Sequence, residues 1–378
     1  MDSMTNLLVG NGTNIQFDSQ SYTTKQIVLR ILKNFEREDF PSHVIADPKY
    51  TLRNYIGLLF MEIQGVVEGK YDGYANNTDE RDSLLSFKER YKDLETRVKI
   101  TDIGFEDYYL LHDLFCHKHH IMNPDQFYIR EALKLAYVHS IYNDGRLNSL
   151  HTKYPDKYVQ YLSSFDNIFT TNYDSNIESV TGKVVFHIHG QFDILDEAYN
   201  IESFRNQLPD APIKNTVFDE KYFYLYSNVI STHCGAYKRF FINQNTIANE
   251  AIDAFVHSYE TNEEQKAIID SWLDSKNQLL SNLGNAIKLK TENHSLCFME
   301  YYHFDEFDNI TGELEILGLS PWNDFHIFET INSAKLNSCV FYYFNESECE
   351  KIADLLPTLA NDGVLHFRSA KAFWDGIL

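Results

Sequence analysis

The chain has 378 residues, 43% hydrophobic and 23% charged, which excludes a disordered or low-complexity protein and allows two or three domains. Against 55 acidic residues stand 33 Lys and Arg, a formal net charge of −22 that opposes non-specific binding to nucleic acid, where affinity comes from neutralising phosphates. The five cysteines (Cys116, Cys234, Cys297, Cys339, Cys349) show no CxxC spacing, so neither a disulfide framework nor a zinc ribbon is indicated.

The opening MDSMTNLLVGNG has no basic segment ahead of a long apolar stretch, and no apolar run reaches bilayer length. The expectation is a cytoplasmic protein with no membrane contact. Asn6–Val9 is a short apolar run followed by Gly10-Asn11-Gly12-Thr13-Asn14, which predicts a first strand ending in a glycine turn. This turn is half of a dinucleotide fingerprint, because Ile15 stands where the third glycine of G-x-G-x-x-G belongs. It serves equally well as a plain strand-to-helix connection. Asn11 and Asn14 favour the phosphate reading, since both amides can bond ribose hydroxyls or phosphate.

Helical spacing then dominates, over Thr23–Arg37, Leu52–Val67, Arg81–Leu94, Phe105–His117 and Gln126–Tyr142. Pro41, Pro48, Gly73, Gly104, Pro124 and Gly145 punctuate these segments. Cys116-His117-Lys118-His119-His120, with His112 one turn earlier, has the residue types of a metal site. Adjacent helical residues do not face one another, and histidines suit the carboxyl end of a helix, so a helix terminus is the better reading.

Asn167–Phe169 and Val184–Ile188 are continuous apolar runs, as expected of strands buried on both faces of a parallel sheet. The first ends in Thr170-Thr171-Asn172-Tyr173-Asp174 and the second in His189-Gly190. Ligands of open α/β sheets bind beyond the carboxyl ends of the strands, which brings Asn172, Asp174 and His189 to one crevice. Thr, Asn and Asp also cap helices, but a cap does not need Asn and Asp two apart, a spacing that points both the same way on extended backbone. His187 reads as a satisfied core histidine. His189, at the strand end, is better placed for acid–base work near neutral pH.

Pro209 and Pro212 mark a loop, Phe218–Tyr226 is aromatic, and roughly Asn243–Lys290 is helical. Strand patterns return at Leu296–Tyr302, Leu314–Leu319 and Cys339–Phe344, alternating with helices Glu346–Leu355 and Ala370–Ile377. Gly318-Leu319-Ser320-Pro321-Trp322-Asn323-Asp324 repeats the logic of the first turn: small residues, then polar ones. The fold class is α/β, a Rossmann-like doubly wound parallel sheet with large helical insertions. Residues 1–20 and 160–378 form the core, with a helical insertion near 243–290, and 21–159 form a mainly helical insertion.

Taken in order, GNGTN (Gly10–Asn14), TTNYD (Thr170–Asp174), HIHG (His187–Gly190) and LGLSPWND (Leu317–Asp324) resemble the sirtuin superfamily. The likeness is greatest to the zinc-free sirtuin-like domains of bacterial antiphage defence proteins, and GNG near a chain start is also similar to AbiH-type abortive-infection proteins. It covers the sheet core, about half of the chain. The resemblance implies an NAD site in which Gly10 and Gly12 form the pyrophosphate turn, with Asn11, Asn14, Thr171 and Asp324 among the binding residues. It makes Asn172 position the attacked ribose carbon or a water, Asp174 hold the nicotinamide amide, and His189 act as base at the nicotinamide ribose. Gly318 and Ser320 would line the adenosine side.

The four-cysteine zinc module of the protein deacylases is missing, so no zinc and no acyl-lysine peptide are expected. The implied activity is hydrolysis of NAD to ADP-ribose and nicotinamide, as an effector of antiphage defence regulated by a partner. A homo-oligomer and a HerA-type hexameric ATPase partner are implied, without direct nucleic-acid binding. The competing expectation is a non-catalytic subunit that senses NAD or ADP-ribose.

Overall fold

The computed structural model describes residues 3–41, 51–92, 99–123, 125–208, 219–230 and 236–378. Cys234, Pro48, Pro124, Pro209, Pro212 and Phe218 lie outside them. Six strands make one sheet: β1 (Thr5–Val9), β2 (Asn167–Thr170), β3 (Phe186–His187), β4 (Thr311–Leu317), β5 (Lys335–Tyr343) and β6 (Leu365–Ser369). The order is β3-β2-β1-β4-β5-β6 and every pairing is parallel. This is a Rossmann-like α/β sheet, with its topological switch point between β1 and β4.

Alternation along each strand builds two cores. Leu8 of β1, Phe169 of β2, Ile316 of β4 and Phe341 of β5 face one side. They meet Phe307, Ile352 and the Ile327, Phe328 and Ile331 stripe of helix Phe325–Ser333. Leu7 and Val9, Ile168, Leu317 and Val340 face the other side, against Tyr158 and Leu162 of helix Asp156–Ser163 and Trp374 of helix Ala370–Ile377. Burial on both faces is why these strands read as unbroken apolar runs.

Two compact units emerge. The first comprises 1–192, 229–238 and 302–378, so the helical segment after β1 belongs with the sheet. Its helices include Thr24–Asn34, Leu52–Val67, Thr78–Tyr91, Asp107–His119 and Asp125–Tyr142. The second comprises 193–228 and 239–301, a wider insertion than 243–290, and has its own core of Phe204, Ile252, Val256, Ile269, Ile287 and Leu296. The long helical pattern there resolves into Ala236–Thr261, Glu263–Trp272 and Gln278–Glu292, the second begun by Asn262, whose side chain accepts from the Glu264 and Gln265 amides.

Two expectations are corrected. Leu296–Tyr302 is not a strand. Leu296 is a core residue of the second unit, and Cys297 makes only an isolated bridge to Ser203. The run Val184–Ile188 yields just two residues of strand, Phe186–His187, which pair with Phe169 and Thr170 at the edge of the sheet. The Cys116–His120 run ends its helix as expected: His120 takes a left-handed φ of 56°, and the Ile121 amide reaches back to the Cys116 carbonyl at 2.9 Å. Cys116, Cys297, Cys339 and Cys349 are free thiols, and no described helix is long and apolar enough to cross a membrane.

Candidate functional site

At the carboxyl edge of the sheet lies a cavity of about 920 Å³. Its walls include Asn11, Gly12, Asn14, Thr171, Asn172, Asp174, His189, Gly318, Ser320 and Asp324. Four distant sequence segments thus meet at the switch point. Of the expected site residues, Gly10 alone is not in the cavity wall.

The glycines have an explanation in the turn itself. The Gly10 amide donates to the Leu317 carbonyl at 2.9 Å, and the Gly12 amide to the Gly318 carbonyl at 2.8 Å, so the loop after β1 lies backbone-on-backbone against the end of β4. A Cβ at Gly10 would stand 2.5 Å from the Gly318 carbonyl oxygen, and one at Gly12 2.7 Å from the Gly318 Cα. Gly318 itself has φ of 75°. Asn11 spends its amide on the Tyr22 carbonyl at 3.0 Å.

Asn172 leaves β2 with its amide N–H on the Thr170 hydroxyl at 3.0 Å, and its side-chain NH₂ reaches the Gly10 carbonyl at 3.4 Å. The Asn172 carbonyl accepts from His187 Nδ1 at 2.8 Å, while His187 Nε2 meets Glu178 at 2.6 Å. Burial alone would hold the His187 ring neutral, but the Glu178 carboxylate outweighs it and raises the pKa. His187 is therefore a clamp on the turn that carries Asn172, with both ring nitrogens engaged.

Asp174 is buried and its oxygens accept from Asn14 Nδ2 at 2.8 Å, from Asn176 Nδ2 at 2.5 Å and from the Asn176 amide at 3.2 Å. Burial pushes its pKa up against those donors. The carboxylate is part of the frame joining the two asparagine-bearing turns, and it starts helix Asn176–Thr181 much as a cap would.

His189 is buried and lines the cavity. Its Nε2 lies 3.1 Å from His326 Nε2 and 4.0 Å from Asp324 Oδ1. Burial, the Lys238 ammonium and the His326 ring together hold it well below the usual histidine pKa, so the imidazole is neutral. Lys238 is itself buried, 3.2 Å from Glu106 and 3.7 Å from Asp324, and these two acids keep it charged despite burial. Burial raises both carboxyls against the lysine, Glu106 to about 7.

Glu106, Lys238 and His326 were not picked out from sequence. Glu106 precedes helix Asp107–His119, Lys238 lies in the first turn of helix Ala236–Thr261, and neither has a local motif. His326 had a signal, since it stands two residues after Asp324, past the end of the LGLSPWND motif.

No protein-family model, curated protein or solved structure matches the chain.

Proposed function

We propose that the chain is an NAD hydrolase, releasing nicotinamide and ADP-ribose. The observation that carries this reading is the meeting of Asn172 and a neutral His189 in one cavity at the switch point of a Rossmann-like sheet. At about 920 Å³ the cavity is near the top of the ~300–1,000 Å³ range of small-molecule sites, a size suited to a dinucleotide.

The chemistry required is modest. Nicotinamide leaves a pyridinium as a neutral base, so its departure needs no acid. The C1′–N bond breaks with its electron pair going to nicotinamide nitrogen, and positive charge spreads over the ribose ring. Water adds at C1′ and yields its proton to a base. His189 is unprotonated and can accept that proton, as a weaker base than a free imidazole because its pKa is lowered; Asn172 offers an amide to orient the water or ribose; Asp174 holds Asn14 and the turn in place. General-base assistance is worth about 10²–10⁴-fold.

The test is release of nicotinamide from NAD, followed chromatographically. His189→Ala and Asn172→Ala are each expected to lower it by about 10²-fold or more. Full activity in both variants overturns the assignment, and calorimetric binding of NAD without turnover favours the sensing subunit instead. The sirtuin-like resemblance further supports a role as an effector of antiphage defence in the cytoplasm, working as a homo-oligomer under a HerA-type ATPase partner. Light scattering that returns a monomer, alone and with that partner, counts against the assembly.

A further inference from the structure

We propose that His189, His326 and Asp324 bind one divalent transition-metal ion of the nitrogen-preferring kind, such as zinc(II) or cobalt(II), at the side of the cavity lined by His189 and Asp324. The three ligand atoms lie within 4.8 Å of one another, and they are the one such cluster of three among the described residues. The two Nε2 atoms are 3.1 Å apart and the rings stack at 27° with centroids 5.2 Å apart. Two metal–nitrogen bonds of about 2.0–2.1 Å at a tetrahedral angle separate their nitrogens by roughly 3.3–3.4 Å, so this pair is almost at ligand spacing.

Two imidazoles facing each other through Nε2 at this distance can place only one hydrogen between them. An ion between them takes both lone pairs, with each ring carrying its hydrogen on Nδ1. Asp324 completes the set: its Oδ1 is 4.0 Å from His189 Nε2, and its side chain makes no capping bond to the helix that follows. A movement of roughly 1 Å brings it to ligand distance. His189 and Asp324 both line the cavity, so a water can take the fourth position.

Sequence spacing hid this set. His189 lies at the end of β3, while Asp324 and His326 come from the loop after β4 and the helix it opens. Two features oppose a cation. The Lys238 ammonium is 3.7 Å from Asp324, and the amino end of helix Phe325–Ser333 carries partial positive charge. Glu106, 3.2 Å from Lys238, offsets the first. Binding in the micromolar range is therefore expected, rather than the tight closure of a structural zinc site. An ion here occupies the Nε2 lone pair of His189, so zinc blocks nicotinamide release. That consequence rests on the proposed hydrolase reading; the binding itself does not.

The experiment titrates the chelator-treated full-length chain with cobalt(II), reading its visible d–d bands, and then displaces cobalt with zinc. One cobalt per chain is expected. His326→Gln and Asp324→Asn, both checked for native melting, should each weaken binding roughly 100-fold. Absence of the bands in the wild-type chain, or unchanged titrations in both variants, overturns the site. So does a titration abolished by changing His117 and His119 instead. Nicotinamide release undiminished at saturating zinc overturns the placement on His189. If no variant or condition releases nicotinamide, the hydrolase reading fails while the cobalt titration still decides the metal site.

Discussion

A few residues whose side chains are absent fix the geometry of the cavity. Gly10 and Gly12 let the loop after β1 lie directly on Gly318, and the obstruction to any larger residue is backbone, which cannot step aside. Gly10→Ala is expected to lower stability by about 3 kcal/mol, at the upper end of overpacking costs, read as a shift in the denaturant midpoint. Gly182→Ala is the contrasting case. Its φ is 63° but nothing lies within 4 Å of the added methyl, so only the left-handed backbone penalty of about 1–2 kcal/mol applies. Equal losses at the two positions would mean that close packing is not what the first turn requires. Glu197 makes a comparable demand in the second unit. This buried carboxylate pairs with Arg205 and accepts from the Ser203 hydroxyl at 3.2 Å and the Met299 amide at 2.7 Å. Glu197→Ala strands those donors and should cost about 3–5 kcal/mol.

Among the elements, helix Asp107–His119 carries a proton-sensitive contact. The Tyr55 hydroxyl bonds His112 Nδ1 at 2.7 Å, and His112 Nε2 donates to the Gln126 carbonyl at 3.1 Å, so the ring is held neutral in one tautomer. Burial lowers its pKa to about 4. Below the unfolded value of about 6.5 the unfolded chain binds a proton that the native chain refuses. Stability is therefore full above pH 6.5 and falls as pH drops toward 4, by about 3 kcal/mol in all. Urea midpoints between pH 7 and 4.5 measure this, and His112→Gln should flatten the slope whatever its own stability.

The elements also show where sequence was informative. The central strands were legible because both their faces are buried: Leu7, Leu8 and Val9 are all fully enclosed. β6 escaped notice because its residues, LHFRS, are largely exposed and half polar, as an edge strand permits. Leu296–Tyr302 misled because a short apolar run looks the same in a strand and in a packed loop. Asn172 and His189 could be placed because strand ends in such sheets converge at one edge. Lys238 and Glu106 could not, since only the fold brings one charged residue among many within 3.2 Å of another.

For the whole molecule, a net charge of −22 is a standing self-repulsion. Melting temperature is expected to rise as salt is increased from low levels, with the gain flattening once the screening length falls below about 10 Å. A gel-shift titration with duplex DNA at physiological salt should show no complex, and micromolar binding there would reveal a local basic surface that the overall charge conceals.

The sheet order has a consequence in time. β1 is synthesised first, yet it lies between β2, which starts at Asn167, and β4, which starts at Thr311. Its apolar stretch must wait until β4 has been made before both neighbours exist, and pairings so far apart in the chain close slowly. Refolding from denaturant should be slow and concentration-sensitive, and the nascent polypeptide should depend on chaperones that shield the β1 stretch.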